Sequence, residues 1–237
     1  MSPREHLAEL FHGSAVPAQL RNNAGAVLFR ASDDMRSPPA VWQRLLKRTL
    51  DLGVAVPLLV LLALPMALIA LLIRLDSQGA AVFRQRRLGL GGRPFDILKF
   101  RTMRVLENGD EIVQARPDDK RFTRVGRWLR KRSLDELPQL INVVRGEMSL
   151  VGPRPHAVAH DRRFAALIEG YELRQRAKPG ITGWAQIHGL RGPTPTIDAM
   201  RARVAFDIWY AQHASLRLDL RILLRTPIEI LRQRNAF

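Results

Sequence analysis

The sequence contains no cysteine. That removes disulfide scaffolds, thiolate zinc sites and thiol nucleophiles, and it suits a reducing compartment. Aromatic residues make up only 6% of the 237 residues, too few for a protein that binds single strands by stacking bases. Acidic residues are scarce as well: 22 Asp and Glu stand against 38 Lys and Arg, a formal charge of +16. Such a chain seeks anions, whether nucleic acid, anionic lipid or phosphorylated substrates. There is no internal repeat, no G-x-S-x-G elbow, no P-loop or Rossmann fingerprint and no nucleic-acid-binding signature. Hydrophobic residues are plentiful at 46%, which excludes disorder throughout. The length allows one good-sized domain or two small ones.

The most informative stretch runs from Leu52 to Ile73 without a single charge. As a helix of about 33 Å it matches a hydrocarbon core of roughly 30 Å. It lies too far from the N-terminus for a signal peptide, and soluble helices are rarely apolar all round for this length. Both flanks are basic, with Arg44, Lys47 and Arg48 before the stretch and Arg74, Arg84, Arg86 and Arg87 after it. Basic flanks stay cytoplasmic, so both ends ask for the same side. Pro65, near the middle, and Pro57 before it interrupt the helical hydrogen bonding. A re-entrant segment that enters and leaves by the cytoplasmic face fits these features. A tilted spanning helix with a proline kink fits the length and the prolines as well. A helix starting near Ala40 places Lys47, Arg48 and Asp51 at the membrane interface.

Downstream, Ala81–Leu88 and Pro94–Met103 read as strands of a hairpin around Gly89-Leu90-Gly91-Gly92. From Arg84 to Arg132 the chain carries 15 Lys/Arg against 6 Asp/Glu. Beside an apolar segment, anionic headgroups account for that run without nucleic acid. Gly126–Leu137, Pro138–Val144, Ala157–Arg176, Ile197–Gln212 and Leu216–Arg232 are expected as helices, and Ile181–Thr196 as a loop. The last helix sets Arg217, Arg221 and Arg225 at i, i+4 spacing, a pattern suited to the membrane interface or to packing on the domain core.

The sharpest local chemistry is Ser133-Leu134-Asp135-Glu136-Leu137-Pro138. Ser133 and Glu136 fit a capping box, although Pro138 favours a helix start nearer Asp135. Two adjacent carboxylates amid Arg124, Arg127, Arg130, Lys131 and Arg132 can hold Mg²⁺ against a phosphate, or form a plain ion-pair network. In Val151-Gly152-Pro153-Arg154-Pro155, two prolines fix the backbone around one guanidinium, which suits bidentate phosphate recognition. A rigid loop with a solvent-facing arginine is the alternative. His156 and His160 lie at i, i+4, but the rest of a metalloprotease motif is missing.

Taken in order, these motifs resemble the bacterial sugar transferases, the polyprenyl-phosphate phosphoglycosyl transferases. The resemblance runs from about Val41 to Leu231. It rests on Lys47-Arg48 with Asp51, the proline-broken apolar stretch, Phe83-Arg84-Gln85, Lys99-Phe100-Arg101-Thr102-Met103, Ser133 to Leu140, Gly146 to Pro155, and Lys178-Pro179-Gly180-Ile181-Thr182-Gly183. Leu64 stands where relatives often carry Ser before the proline, and Glu147 and Arg132 replace a common Asp and Thr. The stretch from Trp184 to Asp219 looks like the branch that starts exopolysaccharide and O-antigen repeat units, here in a short, catalytic-domain-only form.

The resemblance implies an α+β, mostly helical fold with a re-entrant membrane helix, a small β-hairpin and a cytosolic catalytic domain bearing interfacial amphipathic helices. It divides the chain into a flexible tail (1–40), a membrane-associated helix (41–76) and a catalytic domain at the cytoplasmic face of the bacterial inner membrane (77–237). The implied reaction moves hexose-1-phosphate from a UDP-hexose to undecaprenyl phosphate and releases UMP. Asp135 would be the nucleophile, forming a phosphosugar intermediate. Glu136, with Asp135, would hold Mg²⁺. Lys99, Arg101, Pro153, Arg154 and Pro155 would bind substrate, while Lys47, Arg48, Asp51 and Pro65 would set the membrane segment. Membrane lipid is an expected partner and nucleic acid is not. The sugar and the oligomeric state stay open, a homodimer included. A non-catalytic membrane-bound binding protein or assembly scaffold is the competing expectation.

Overall fold

The computed structural model describes residues 41–104, 119–192, 194 and 196–232. The expected tail, 1–40, lies outside the described residues. Helix α1 (Val41–Asp76) contains both Pro57 and Pro65. Among the described residues it is the one helix long and apolar enough to cross a membrane. A hairpin follows, β1 (Val82–Leu88) and β2 (Pro94–Phe100), with Arg84 opposite Leu98 and Arg86 opposite Asp96. Its turn holds Gly91 and Gly92 at φ 63° and 73°, left-handed conformations that favour glycine. Then come α2 (Arg124–Lys131), α3 (Gln139–Arg145), β3 (Ser149–Val151), α4 (Val158–Ala165), β4 (Gly180–Thr182), α5 (Ile197–His213) and α6 (Leu216–Arg232). Strands β3 and β4 pair in parallel. The architecture is mostly helical with two small sheets.

Three expected elements differ. The helix expected over Ala157–Arg176 is two pieces, α4 and a 3₁₀ turn at Tyr171–Arg176. Gly170, at φ 70°, reverses the chain between them so that Tyr171 can bury beside Asp161. The helix expected over Gly126–Leu137 ends at Lys131, and a 3₁₀ turn, Leu134–Glu136, precedes α3. The loop expected over Ile181–Thr196 includes the end of β4 and a 3₁₀ turn at Gln186–His188.

Helix α1 is stitched to the rest of the chain at both ends. Near its start, Lys47 Nζ donates to Asp219 at 2.6 Å and to the Val151 carbonyl at 3.1 Å. Arg48 donates to the Val143 and Val144 carbonyls at the end of α3, groups a helix terminus leaves unsatisfied. Asp51 accepts from Ser149 Oγ and the Leu150 amide. Near its other end, Arg101 donates to the Ile73, Ser77 and Gln78 carbonyls, and Asp76 accepts from the Val125 amide at the start of α2. Between these anchors a stripe of the helix packs inward. Val54, Leu58, Leu59 and Leu62 join the main core, and Met66, Ile69, Ala70 and Ile73 join a second cluster with Phe100 and Leu129. The opposite face is bare and apolar, with Val60, Leu61 and Leu64 each at least 70% exposed. Patches of this kind mark a membrane or partner surface.

Inside, Asn142 fixes α3 to the hairpin. It accepts from the Leu98 amide and donates to the Asp96 carbonyl. That clamp sets β2, and with it Lys99, beside the turn that carries Asp135 and Glu136.

Candidate active site

Asp135 and Glu136 sit on the 3₁₀ turn between α2 and α3. Ser133 enters that turn at φ 58°, the single non-glycine with positive φ among the described residues. Such a conformation costs of order 1–3 kcal/mol and concentrates at functional sites. The capping box that the Ser133–Glu136 spacing allows is absent: Ser133 makes no side-chain cap and its hydroxyl accepts from Arg191 instead.

The two carboxylates are in opposite conditions. Glu136 is buried and ion-paired. Its Oε1 accepts from Lys99 Nζ at 2.9 Å and Arg154 Nη2 at 2.5 Å, and its Oε2 from Arg154 Nη1 at 3.2 Å. Burial alone would push Glu136 upward, but the Arg154 and Lys99 charges outweigh it and hold the carboxyl well below its ordinary range. Asp135 is half-buried and makes no hydrogen bond or ion pair among the described residues. Burial and the neighbouring Glu136 charge push its carboxyl above the usual aspartate range, against the pull of Lys99 and Arg130. One carboxylate is therefore ion-paired and fixed, and the other is poorly compensated.

Around this pair stand Lys99, Arg130, Arg154 and Arg191, four cations that each feel both carboxylates. Four positive charges against two negative leave a surplus of two. An arrangement of that kind is suited to a phosphorylated ligand and can stabilise charge on phosphoryl oxygens.

Arg154 is held from behind by its own backbone. The buried Arg174 donates to the Arg154 carbonyl at 2.5 Å while bonding Asp207 through Nε and Nη2. Arg87 donates to the Pro155 carbonyl at 3.1 Å. From the other side, the Gly152 amide donates to Thr182 and the Gly180 amide to Pro153. These two backbones touch directly. A Cβ on Gly152 would meet the Lys178 carbonyl, one on Gly180 the Gly152 amide, and one on Gly183 the Gly152 carbonyl. The glycines of the two motifs thus exist for close approach rather than for turns. Gly152→Ala is expected to destabilise the fold by about 1–3 kcal/mol and to displace Arg154, seen as a lowered melting temperature and weakened nucleotide-sugar binding. A variant of unchanged stability and binding would contradict this packing argument.

The sequence-derived candidates divide. Lys99, Arg154, Asp135 and Glu136 converge, with Pro153 and Pro155 buried on either side of Arg154. Arg101 is not brought to the carboxylates: its guanidinium caps the C-terminal end of α1. Lys47, Arg48 and Asp51 face the domain rather than an interface. His156 bonds the Tyr171 hydroxyl and is held far below the usual histidine range, mainly by burial and by Arg174. No group of three or more metal-ligating side chains occurs among the described residues. Arg191, Arg174, Arg203 and Asp207 carry no local sequence signal for this site, since tens of residues separate them from Glu136 and only folding brings them near.

Comparison with known proteins supplies the context for this geometry. A family described as bacterial sugar transferase matches residues 42–233. The UDP-glucose:undecaprenyl-phosphate glucose-1-phosphate transferase of Caulobacter vibrioides is 54% identical over 84% of this chain and 74% of its own length. The Escherichia coli protein of the same name is 51% identical over 77% of this chain, but the match spans only 39% of that longer protein. An exopolysaccharide production protein of Rhizobium leguminosarum bv. phaseoli is 40% identical over 81% of this chain and 98% of its own length. The carboxylate pair, the clamped Pro-Arg-Pro loop and the stitched apolar helix all fall inside the matched region, and the chain belongs to the bacterial sugar transferase family.

Proposed function

We propose that this chain transfers hexose-1-phosphate from a UDP-hexose to undecaprenyl phosphate, as the first membrane step of exopolysaccharide or O-antigen assembly. The observation that carries the mechanism is the contrast between Glu136, tied to Lys99 and Arg154, and Asp135, whose side chain has no hydrogen bond or ion pair among the described residues. Asp135 attacks the sugar-linked phosphorus, the bond to the bridging oxygen breaks, and UMP departs. An oxygen of the acceptor's phosphate then attacks the same phosphorus and displaces the Asp135 carboxylate. Neither step needs a general base, because both nucleophiles are anions. Positioning and positive charge do the catalytic work. Lys99 and Arg154 orient Glu136 and meet the donor's phosphates.

The donor set fits Mg²⁺, which takes one or two carboxylates and completes its shell with substrate phosphates and water. Asp135 is uncommitted, and Glu136 Oε2 accepts only the 3.2 Å bond from Arg154, so these two residues would hold the ion. Bound there, Mg²⁺ would neutralise phosphate charge.

The protein associates with the membrane through α1, and we assign both ends of that helix to the cytoplasmic face. Contacts of both ends with one domain support this: Lys47, Arg48 and Asp51 at one end, Asp76 and the carbonyls bound by Arg101 at the other. The stretch between those anchors packs on the same domain through Leu58, Leu62, Met66 and Ile69, so the domain accompanies the helix along its length, which a helix crossing to the far side would not allow. Because the chain has no cysteine, Arg44→Cys and Ala80→Cys give clean reporters. In intact cells a membrane-impermeant maleimide is expected to label neither, and in inverted vesicles both. Labelling of either one from outside would contradict the re-entrant assignment.

The reaction is tested by nucleotide release. Purified protein with Mg²⁺, undecaprenyl phosphate and a panel of UDP-sugars is expected to release UMP from a preferred donor. UDP in place of UMP would make the protein a plain glycosyl transferase. No release by folded protein from any donor would favour a binding or scaffold role.

A further inference from the structure

We infer that the apolar cleft between α1 and α6 receives the isoprenoid chain of the acceptor, and that Arg191 at its inner end binds the acceptor's phosphate. This rests on the phosphoglycosyl transfer proposed above and adds where the second substrate sits. A cavity of about 260 Å³ lies between Val54, Leu58 and Leu62 of α1 and Leu223 and Ile230 of α6. The surface it presents is mostly apolar, with Ser133, Glu136 and Arg191 as polar residues at the catalytic turn and Thr182, Gln186, Thr226 and Glu229 as the polar residues elsewhere in its lining. The cleft therefore leads from two helices to Glu136 and the turn that carries it.

Three observations select its occupant. The outer face of α1 is bare and apolar, with Leu61 at 73% exposure, and α6 exposes Leu224 at 76% and Ile228 beside Arg217 and Arg221, an amphipathic mix that suits the headgroup boundary from which a lipid enters. Arg191 makes a hydrogen bond to Ser133 and no ion pair among the described residues, although the Glu136 and Asp135 charges act on it. A guanidinium at the end of an apolar passage calls for an anion delivered on a hydrocarbon tail. A nucleotide sugar, polar along its length, would lose its hydration in such a passage. Finally, the Arg191 segment is braced, because the buried Arg203 donates to the Gly192 carbonyl. The donor and acceptor phosphates then approach Glu136 from different sides, one through Arg154 and Lys99, the other through Arg191.

The two half-reactions separate this claim from the reaction itself. Without lipid, Leu223→Trp is expected to release the same stoichiometric burst of UMP as the parent protein, and Arg191→Gln a burst of the same size at a lower rate, because Arg191 also belongs to the cation ring around the carboxylates. With lipid, both are expected to raise the KM for undecaprenyl phosphate about tenfold or more, as loss of a charged hydrogen bond or a filled pocket implies. Leu224→Trp, on the exposed side of α6, is expected to leave that KM unchanged. Loss of the burst in Arg191→Gln would make Arg191 a donor residue and overturn the assignment. An unchanged acceptor KM in folded Leu223→Trp would overturn the cleft. Absence of a burst in the parent protein would instead count against the two-step reaction. The cleft is then read by binding of a fluorescent polyprenyl phosphate in phosphatidylcholine nanodiscs, expected to weaken about tenfold in Arg191→Gln. Displacement of that probe by phosphatidylglycerol as effectively as by unlabelled polyprenyl phosphate would overturn the proposal in favour of a general lipid site.

Discussion

Asp135→Asn is expected to abolish turnover, with a loss of about 10⁴-fold or more in kcat, as removal of a covalent nucleophile does elsewhere. The amide preserves shape and cannot form an acyl phosphate. Folding is expected to survive, because the Asp135 side chain has no hydrogen bond to lose among the described residues. Removing a poorly compensated carboxylate from beside Glu136 is expected to leave stability equal or higher, checked by thermal unfolding. The same residue sets the acid side of the pH profile. Attack requires the ionised form, and burial with the Glu136 charge raises the Asp135 carboxyl above its ordinary value. Activity should therefore fall on acidification at a pH above the usual aspartate range, while Glu136, displaced downward, stays ionised throughout. An acid limb set at or below the ordinary aspartate value would contradict this electrostatic description. So would an active Asp135→Asn.

The second large effect is expected from Arg154→Lys. The guanidinium grips both oxygens of Glu136, and lysine offers one point charge in place of a planar fork. Weakening one partner of a buried pair costs about 3 kcal/mol, roughly a hundredfold in rate if the loss is felt in the transition state. With Arg154 in the proposed role of meeting donor phosphates, kcat/KM for the UDP-sugar is expected to fall by that factor while the acceptor KM stays unchanged. A shift confined to the acceptor KM would reverse the roles given to Arg154 and Arg191. Arg174→Lys provides the milder companion. It leaves the charge but disturbs the bond to the Arg154 carbonyl, so a smaller loss of the same kind is expected.

Much of this was written locally in the chain. The hairpin turn follows from Gly91 and Gly92, and α1 from an uncharged run that both prolines fail to end. The α6 bounds match the expected Leu216–Arg232. Asp135, Glu136 and Arg154 stood out because adjacent carboxylates and a proline-framed arginine are unusual in a basic chain. Other features depend on contacts between distant residues. Nothing near Arg101 in sequence says that it will cap α1, and a basic residue two positions after Lys99 reads naturally as a site residue. Ser133 and Glu136 have the spacing of a capping box, but Arg191 takes the hydroxyl and the backbone at Ser133 turns left-handed. Gly170 looked like one more helical position, and the burial of Tyr171 decided otherwise. Arg174 and Arg203 resemble any surface arginine until the fold buries them.

The central claim is that the sugar-linked phosphate passes through Asp135, and a doubly designed label tests it most directly. Protein is mixed with UDP-glucose carrying ³²P in the β position, without lipid, and precipitated. The account predicts label on the protein, localised to the peptide containing Asp135, released on addition of undecaprenyl phosphate and absent in Asp135→Asn. With ³²P in the α position, the label should leave as UMP. Protein that releases UMP only with lipid present, and never retains β-label, would contradict the account and show direct transfer between the two substrates.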